Sequence, residues 1–149
     1  MKRAIQNGEN TIILTHEANG TAHIYNIAHA TKTVTEISQE GVIAVDPDNA
    51  GDYLAISDIA LTEDGKLIAS NYMRCEQGTT PATGYKVGEI RYYIWNDITA
   101  APTRWFTTTK TANSTYADVS YTFAIKGTST NAQLMSTAVH NNNRAARNN

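Results

Sequence analysis

Ser57-Asp-Ile-Ala-Leu-Thr-Glu-Asp-Gly-Lys-Leu-Ile-Ala-Ser-Asn71 decides the fold class. Two short apolar runs flank Glu63-Asp64-Gly65, a cluster of turn formers. Leu54 to Thr62 reads as one strand and Lys66 to Tyr72 as the next, and neither has the 3.6-residue spacing of a helix. Downstream, Glu89 to Trp95 is a strand rich in Tyr, Ile and Trp. Thr103 to Thr108 is a Thr-rich partner, and Ser120 to Lys126 with Gln133 to Val139 forms a final hairpin. Upstream, Thr11 to His16 and Thr21 to Ile27 flank the turn Glu17-Ala18-Asn19-Gly20, and Lys32 to Ser38 follows as an outer strand. Gly41 to Tyr53, Met73 to Gly88 and Lys110 to Val119 read as loops, and His140 to Asn149 as a polar, flexible tail.

The chain has 149 residues, 41% of them hydrophobic and only 17% charged, against roughly 25% charged in an ordinary globular domain. Threonine and asparagine fill the gap, which suits strands and turns. A formal net charge of −2 gives no electrostatic reason to expect nucleic acid or an anionic membrane as partner. No apolar run approaches the roughly 18 residues of a spanning helix, so no membrane insertion is expected. Cys75 alone excludes an intrachain disulfide. The N-terminus has Lys2 and Arg3 but no apolar stretch behind them, so no signal peptide is read there.

Three segments share a texture of short apolar strands ending in small or polar residues: Thr11 to His16, Lys66 to Asn71 and Ala132 to Thr137. Tyr-rich strands follow the first two, and Thr-rich strands follow those. This order predicts β-propeller-like blades, each an antiparallel four-stranded sheet, in a single repeat domain over 1–139. The end of one blade falls at 11–38, a full blade at 54–108 and the start of a third at 120–139. Such material makes only a partial propeller, so the chain is expected to be a fragment of a longer protein or to associate with itself through open sheet edges. The alternative is a β-sandwich, which the same short strands and turns also describe.

The run Ser57 to Asn71, with Ile90-Arg-Tyr-Tyr-Ile-Trp-Asn-Asp97 and Ala101-Pro-Thr-Arg-Trp-Phe106, resembles a family of propeller-like domains of unknown function. These occur in surface lipoproteins of glycan-feeding Gram-negative bacteria, and the match is best from Asp58 to Phe106. The resemblance implies a location at the cell envelope or extracellular surface. It supplies no catalytic residues and no cofactor.

Residues that could carry chemistry are few. His16, Glu17 and His23 flank one hairpin, but they lack the tight spacing of a metal site and read as surface or edge residues. Asp46-Pro-Asp-Asn-Ala-Gly-Asp52 has Ala50 where a calcium loop needs an oxygen, so it reads as turn chemistry. Cys75 has no partner for nucleophilic catalysis, and no nucleophile elbow or phosphate loop is present. No catalytic residue, metal ligand or cofactor is therefore assigned. The aromatic residues Tyr85, Tyr92, Tyr93, Trp95 and Trp105 concentrate in one region. On a strand, Tyr93 and Trp95 share one face while Tyr92 and Ile94 share the other. One set is expected in the core, and the other could offer rings to a sugar or a protein. The expected function is a non-catalytic binding or scaffold module with a glycan or protein ligand. The alternatives are a structural segment that assembles into a ring or fibre, and a carbohydrate-active hydrolase or lyase using the acidic residues between Glu36 and Asp64.

Overall fold

The structure is a computed structural model and describes residues 2–17, 21–42, 45–46, 49–53, 55–72, 89–109 and 118–139. The described elements are all β. β1 (Arg3–Asn7), β2 (Asn10–His16), β3 (Ala22–Ala28) and β4 (Thr33–Glu36) form one antiparallel sheet in chain order. β5 (Val45–Asp46) and β6 (Asn49–Tyr53) form a short ribbon. β7 (Ala55–Leu61), β8 (Leu67–Tyr72), β9 (Glu89–Trp95) and β10 (Thr103–Thr109) form a second four-stranded sheet. β11 (Asp118–Lys126) and β12 (Gln133–Val139) form a hairpin.

The second sheet lies between the other two, and its burial pattern shows why. Leu67 to Asn71 on β8 and Tyr92 to Trp95 on β9 are buried at every position, as in strands covered on both faces. Alternation then divides the side chains. Ile59, Leu67, Ala69, Tyr93 and Trp95 meet Ile12, Leu14 and Ile24 of the first sheet. Ala60, Ile68, Tyr92 and Ile94 meet Phe123, Ile125 and Leu134 of the hairpin. The division of Tyr93 and Trp95 from Tyr92 and Ile94 is the one expected from a strand's two-residue period. Each fully buried Ile or Leu contributes roughly 1.5–3 kcal/mol. The Trp95 indole also donates from Nε1 to the Ser38 carbonyl at 2.7 Å, which ties the middle sheet to the segment after β4.

A β-bulge on β7 sets the geometry between the layers. The register with β8 shifts between Ile56 and Asp58, so Ile56 and Ile59 face the first sheet although they are three residues apart. Asp58, opposite Ser70, faces the other way. Its buried carboxylate accepts from Arg3 Nη1 at 3.1 Å and from the Phe123 backbone N–H at 3.0 Å through Oδ2. Through Oδ1 it accepts from the Ile59 N–H at 2.9 Å. At the end of the molecule, the β7–β8 turn grips the β11–β12 turn. Glu63 N–H donates to the Gly127 carbonyl at 2.9 Å, and Asp64 accepts from Ser129 N–H at 2.8 Å and from its hydroxyl at 2.6 Å. Gly127 has φ +100° with the Asn131 carbonyl 3.1 Å from where a Cβ would sit, so glycine is required there.

These findings correct the expected fold. No sheet closes on itself or curls as a propeller blade must, and the three larger sheets are separate antiparallel units stacked in layers. The partial propeller at 11–38, 54–108 and 120–139 is therefore withdrawn, and the repeat reading goes with it. Short strands ending in polar residues recur in any up-and-down sheet, so their shared texture reports connectivity rather than a ring. A two-sheet sandwich does not describe the chain either, because the middle sheet is covered on both faces. β1 was not expected, although Gly8 (φ 59°) opens the two-residue loop of the β1–β2 hairpin. Part of the expected Gly41–Tyr53 loop is the β5–β6 ribbon. The expected tail at 140–149 and the loop at 73–88 lie outside the described residues.

Replacing Asp58 by Ala strands the buried N–H groups of Ile59 and Phe123 and the Arg3 guanidinium, and is expected to cost about 3 kcal/mol in urea unfolding. Asp58→Asn, which keeps an acceptor, should cost less. An Asp58→Ala midpoint equal to wild type would remove the carboxylate from this role. Asp64 adds an acid sensitivity. Hydrogen bonds from the Ser129 hydroxyl, and next from Thr62, hold its carboxyl at about 2 against an ordinary 3.8. A depressed carboxyl stabilises the fold above its unfolded pKa and loses that effect as pH falls through the folded value. Thermal unfolding should thus lose stability between about pH 4 and pH 2, and Asp64→Asn should flatten that segment of the profile.

Candidate functional site

The outer face of the first sheet is the best-assembled surface of the described chain. Period-two alternation sends Ile12, Leu14 and Ile24 inward and leaves their neighbours outside. Register then aligns the outer residues in rows. Ala4, Ile13, Tyr25 and Glu36 cross the four strands in one row, and Gln6, Thr11, Ile27 and Val34 in the next. Thr15 pairs with His23. None of these side chains is fully buried, and Val34 is 62% exposed.

His23 organises this face. Its Nδ1 lies 2.7 Å from Glu36 Oε1 and its Nε2 lies 3.0 Å from Glu17 Oε1. Carboxylates only accept, so both ring nitrogens donate and the ring is the imidazolium in this arrangement. The Glu36 hydrogen bond, with a smaller one from Glu17, raises the His23 pKa against the opposing effect of burial. The Tyr25 ring lies beside it, with centroids 6.0 Å apart and planes at 14°. On the same sheet, His29 Nε2 and Thr11 Oγ1 are 2.8 Å apart. The result is a pair of nearly parallel rings flanked by two half-exposed carboxylates and threonine hydroxyls.

The trio His16, Glu17 and His23 does not assemble. His16 lies on the inward face of β2, and its Nε2 donates to the Ile56 carbonyl at 2.6 Å. Burial lowers its pKa, with Lys2 adding to the effect against the Ile56 hydrogen bond. His23 points outward with both nitrogens engaged. Among the described residues no group of three or more His, Cys, Asp or Glu is placed to hold a metal ion.

Three of the aromatic candidates lie in the core. Tyr92, Tyr93 and Trp95 are at most 2% exposed, so they present no ring face to a ligand. Tyr92 stacks on Phe106 at 4.5 Å and meets the edge of Phe123 at 5.5 Å. Trp105 is half-buried beside Phe106, centroids 5.0 Å apart. Tyr85, Cys75 and Asp48 lie outside the described residues. The two-residue period of a strand puts His23, Tyr25 and Ile27 on one face of β3, but no motif in the sequence gives that face a role. The missing signal was the pairing of Tyr25 with Glu36, which only register supplies.

Other carboxylates are engaged structurally. Asp58 bridges the layers, Glu63 and Asp64 hold the β11–β12 turn, and Asp97 caps Thr99 at 2.9 Å. An open groove of about 380 Å³ lies where β1, β7 and β11 meet, lined by Arg3, Ile5, Gln6, Leu61 and Ile125, but its one charged group is committed to Asp58. Among the described residues no helix is long and apolar enough to cross a membrane. No family model, curated protein or solved structure matches the chain.

The raised pKa of His23 has a testable sign. Its ion pairs with Glu17 and Glu36 are fully present below the ordinary value of 6.5 and are lost as pH rises through the folded pKa. An NMR titration of the His23 ring should give a midpoint above 6.5, and Glu36→Gln should bring it down. A wild-type midpoint at or below 6.5 would contradict the pairing.

Proposed function

We propose that this chain is a non-catalytic binding module that takes a glycan on the outer face of its first sheet. The observation that carries the reading is the nearly parallel His23 and Tyr25 rings between the Glu17 and Glu36 carboxylates. A sugar offers an apolar C–H face and a rim of hydroxyls. A partly exposed aromatic ring suits the first, and carboxylates and threonine hydroxyls suit the second. A catalytic reading lacks support on this face, because His23 is held between two acceptors rather than poised as a base. An outward-facing location at the cell envelope accords with the sequence resemblance of Asp58 to Phe106 to bacterial surface domains.

A glycan array with the purified chain should return at least one oligosaccharide class. Tyr25→Ala should weaken that binding by at least tenfold, and Glu36→Gln by a smaller factor. Both positions lie on the surface, so the thermal midpoint should move little. An array without a hit, or equal binding by Tyr25→Ala, would contradict the glycan reading. A protein recovered on the same face would place its ligand in the other class.

A further inference from the structure

His23 stands between two carboxylates that come from different elements. Its Nδ1 is 2.7 Å from Glu36 Oε1 on β4, and its Nε2 is 3.0 Å from Glu17 Oε1, one residue past the end of β2. Each contact needs an N–H on the ring, so the two exist together only in the imidazolium. The Glu36 and Glu17 side chains are 51% and 54% exposed. The imidazolium therefore fixes two acceptors that a bare surface would leave to rotate. The Tyr25 ring lies beside it on the same face. The turn residues Ala18-Asn19-Gly20 carry no ionisable group. Among the described residues Glu36 and Glu17 are the charged groups that act on His23, whereas Lys2 acts on His16 of the inner face.

Loss of one proton changes one side of this arrangement. The neutral ring has one N–H and one lone pair, and a lone pair aimed at a carboxylate oxygen repels it. Glu36 is the better held of the two acids. Its contact is the shorter, and its backbone is paired with Tyr25 in the β3–β4 ladder. Glu17 lies beyond the β2–β3 ladder, its N–H donated to the Thr21 carbonyl at 2.9 Å. Nδ1 thus keeps its proton for Glu36, and Nε2 gives its proton up. The Glu17 carboxylate then turns away from the ring.

We infer that the glycan site on this face is gated by one proton: the His23 imidazolium holds Glu17 where it meets a sugar hydroxyl, and the neutral ring lets it go. The inference rests on the glycan reading of the face and adds its regulation. A fixed acceptor binds at a lower ordering cost than a mobile one. Affinity is therefore highest below the His23 titration and falls as pH rises through it. Linkage makes the effect reciprocal, so a sugar that prefers the imidazolium raises the His23 midpoint when it binds. The hydrogen bond to Glu36, with a smaller one to Glu17, already sets that titration above the ordinary 6.5 before any sugar is present.

The test uses the whole chain with neutral gluco-, manno- and xylohexaoses, which carry no titrating group of their own. Affinity should fall roughly threefold between about pH 5.5 and about pH 9, the scale of one exposed ion pair. Saturation with the tightest hexaose should raise the His23 midpoint in the NMR titration by about half a pH unit, the same threefold read through linkage. Glu17→Gln should remove both effects, because an amide accepts from the imidazolium and turns to donate to the lone pair of the neutral ring. A hexaose bound equally at both pH values, a His23 midpoint unmoved by saturation, or an undiminished pH dependence in Glu17→Gln would each overturn the gate and leave the glycan site standing. No binding by any hexaose at either pH would overturn both. Should Glu17→Gln not fold, the pH profile and the midpoint shift of the wild-type chain decide alone.

Discussion

The Asp58 carboxylate is the point on which the layers converge. One oxygen holds Arg3 of the first sheet and the Phe123 N–H of the third, and the other holds the N–H of Ile59 in the middle sheet. A buried carboxylate is stable only with such a full set of partners. It therefore constrains where β1 and β11 sit relative to β7. The bulge at Ser57 makes this possible by turning Asp58 away from the Ile56 and Ile59 face. Apolar burial drives the layers together, but it is not directional. The hydrogen bonds of Asp58 supply direction.

The candidate glycan face follows from that stack. Among the described residues the first sheet is covered on one side only, so its alternation is that of a half-buried sheet. The middle sheet, covered twice, consumes the aromatic residues of β9. Partly exposed ring surface is left on the outer face of the first sheet, at Tyr25 and His23, which is where the glycan site is proposed. At the surface, Lys66 ties the end of β8 to the segment after β9, donating from Nζ to the Asn96 carbonyl at 2.6 Å.

Much of the strand content was legible in the sequence. The Glu63-Asp64-Gly65 turn and the runs on either side of it led directly to β7 and β8, and the Tyr-rich run led to β9. What alternation does not contain is which sheets stack on which. A propeller and a layered stack place the same strands beside the same neighbours and differ only in how sheets face each other. The full burial of Leu67 to Asn71 was the residue-level sign of a sheet covered on both faces. β1 escaped because Arg-Ala-Ile-Gln-Asn has a single large apolar residue, although Asn7-Gly8 marked its turn. The site was less legible. Aromatic density pointed to Tyr92, Tyr93 and Trp95, which large rings in a central strand use for burial. His23 and Glu36 are 13 residues apart and meet only through the β3–β4 register.

Residue-resolved native-state hydrogen exchange tests the three-layer arrangement most directly. Amides that open only with global unfolding mark the best-covered strands. The arrangement predicts that β8 and β9 exchange slowest, β2 and β3 faster, and β12 fastest among the long strands. Slowest exchange in β2 and β3, with β8 and β9 opening first, would contradict a middle sheet covered on both faces.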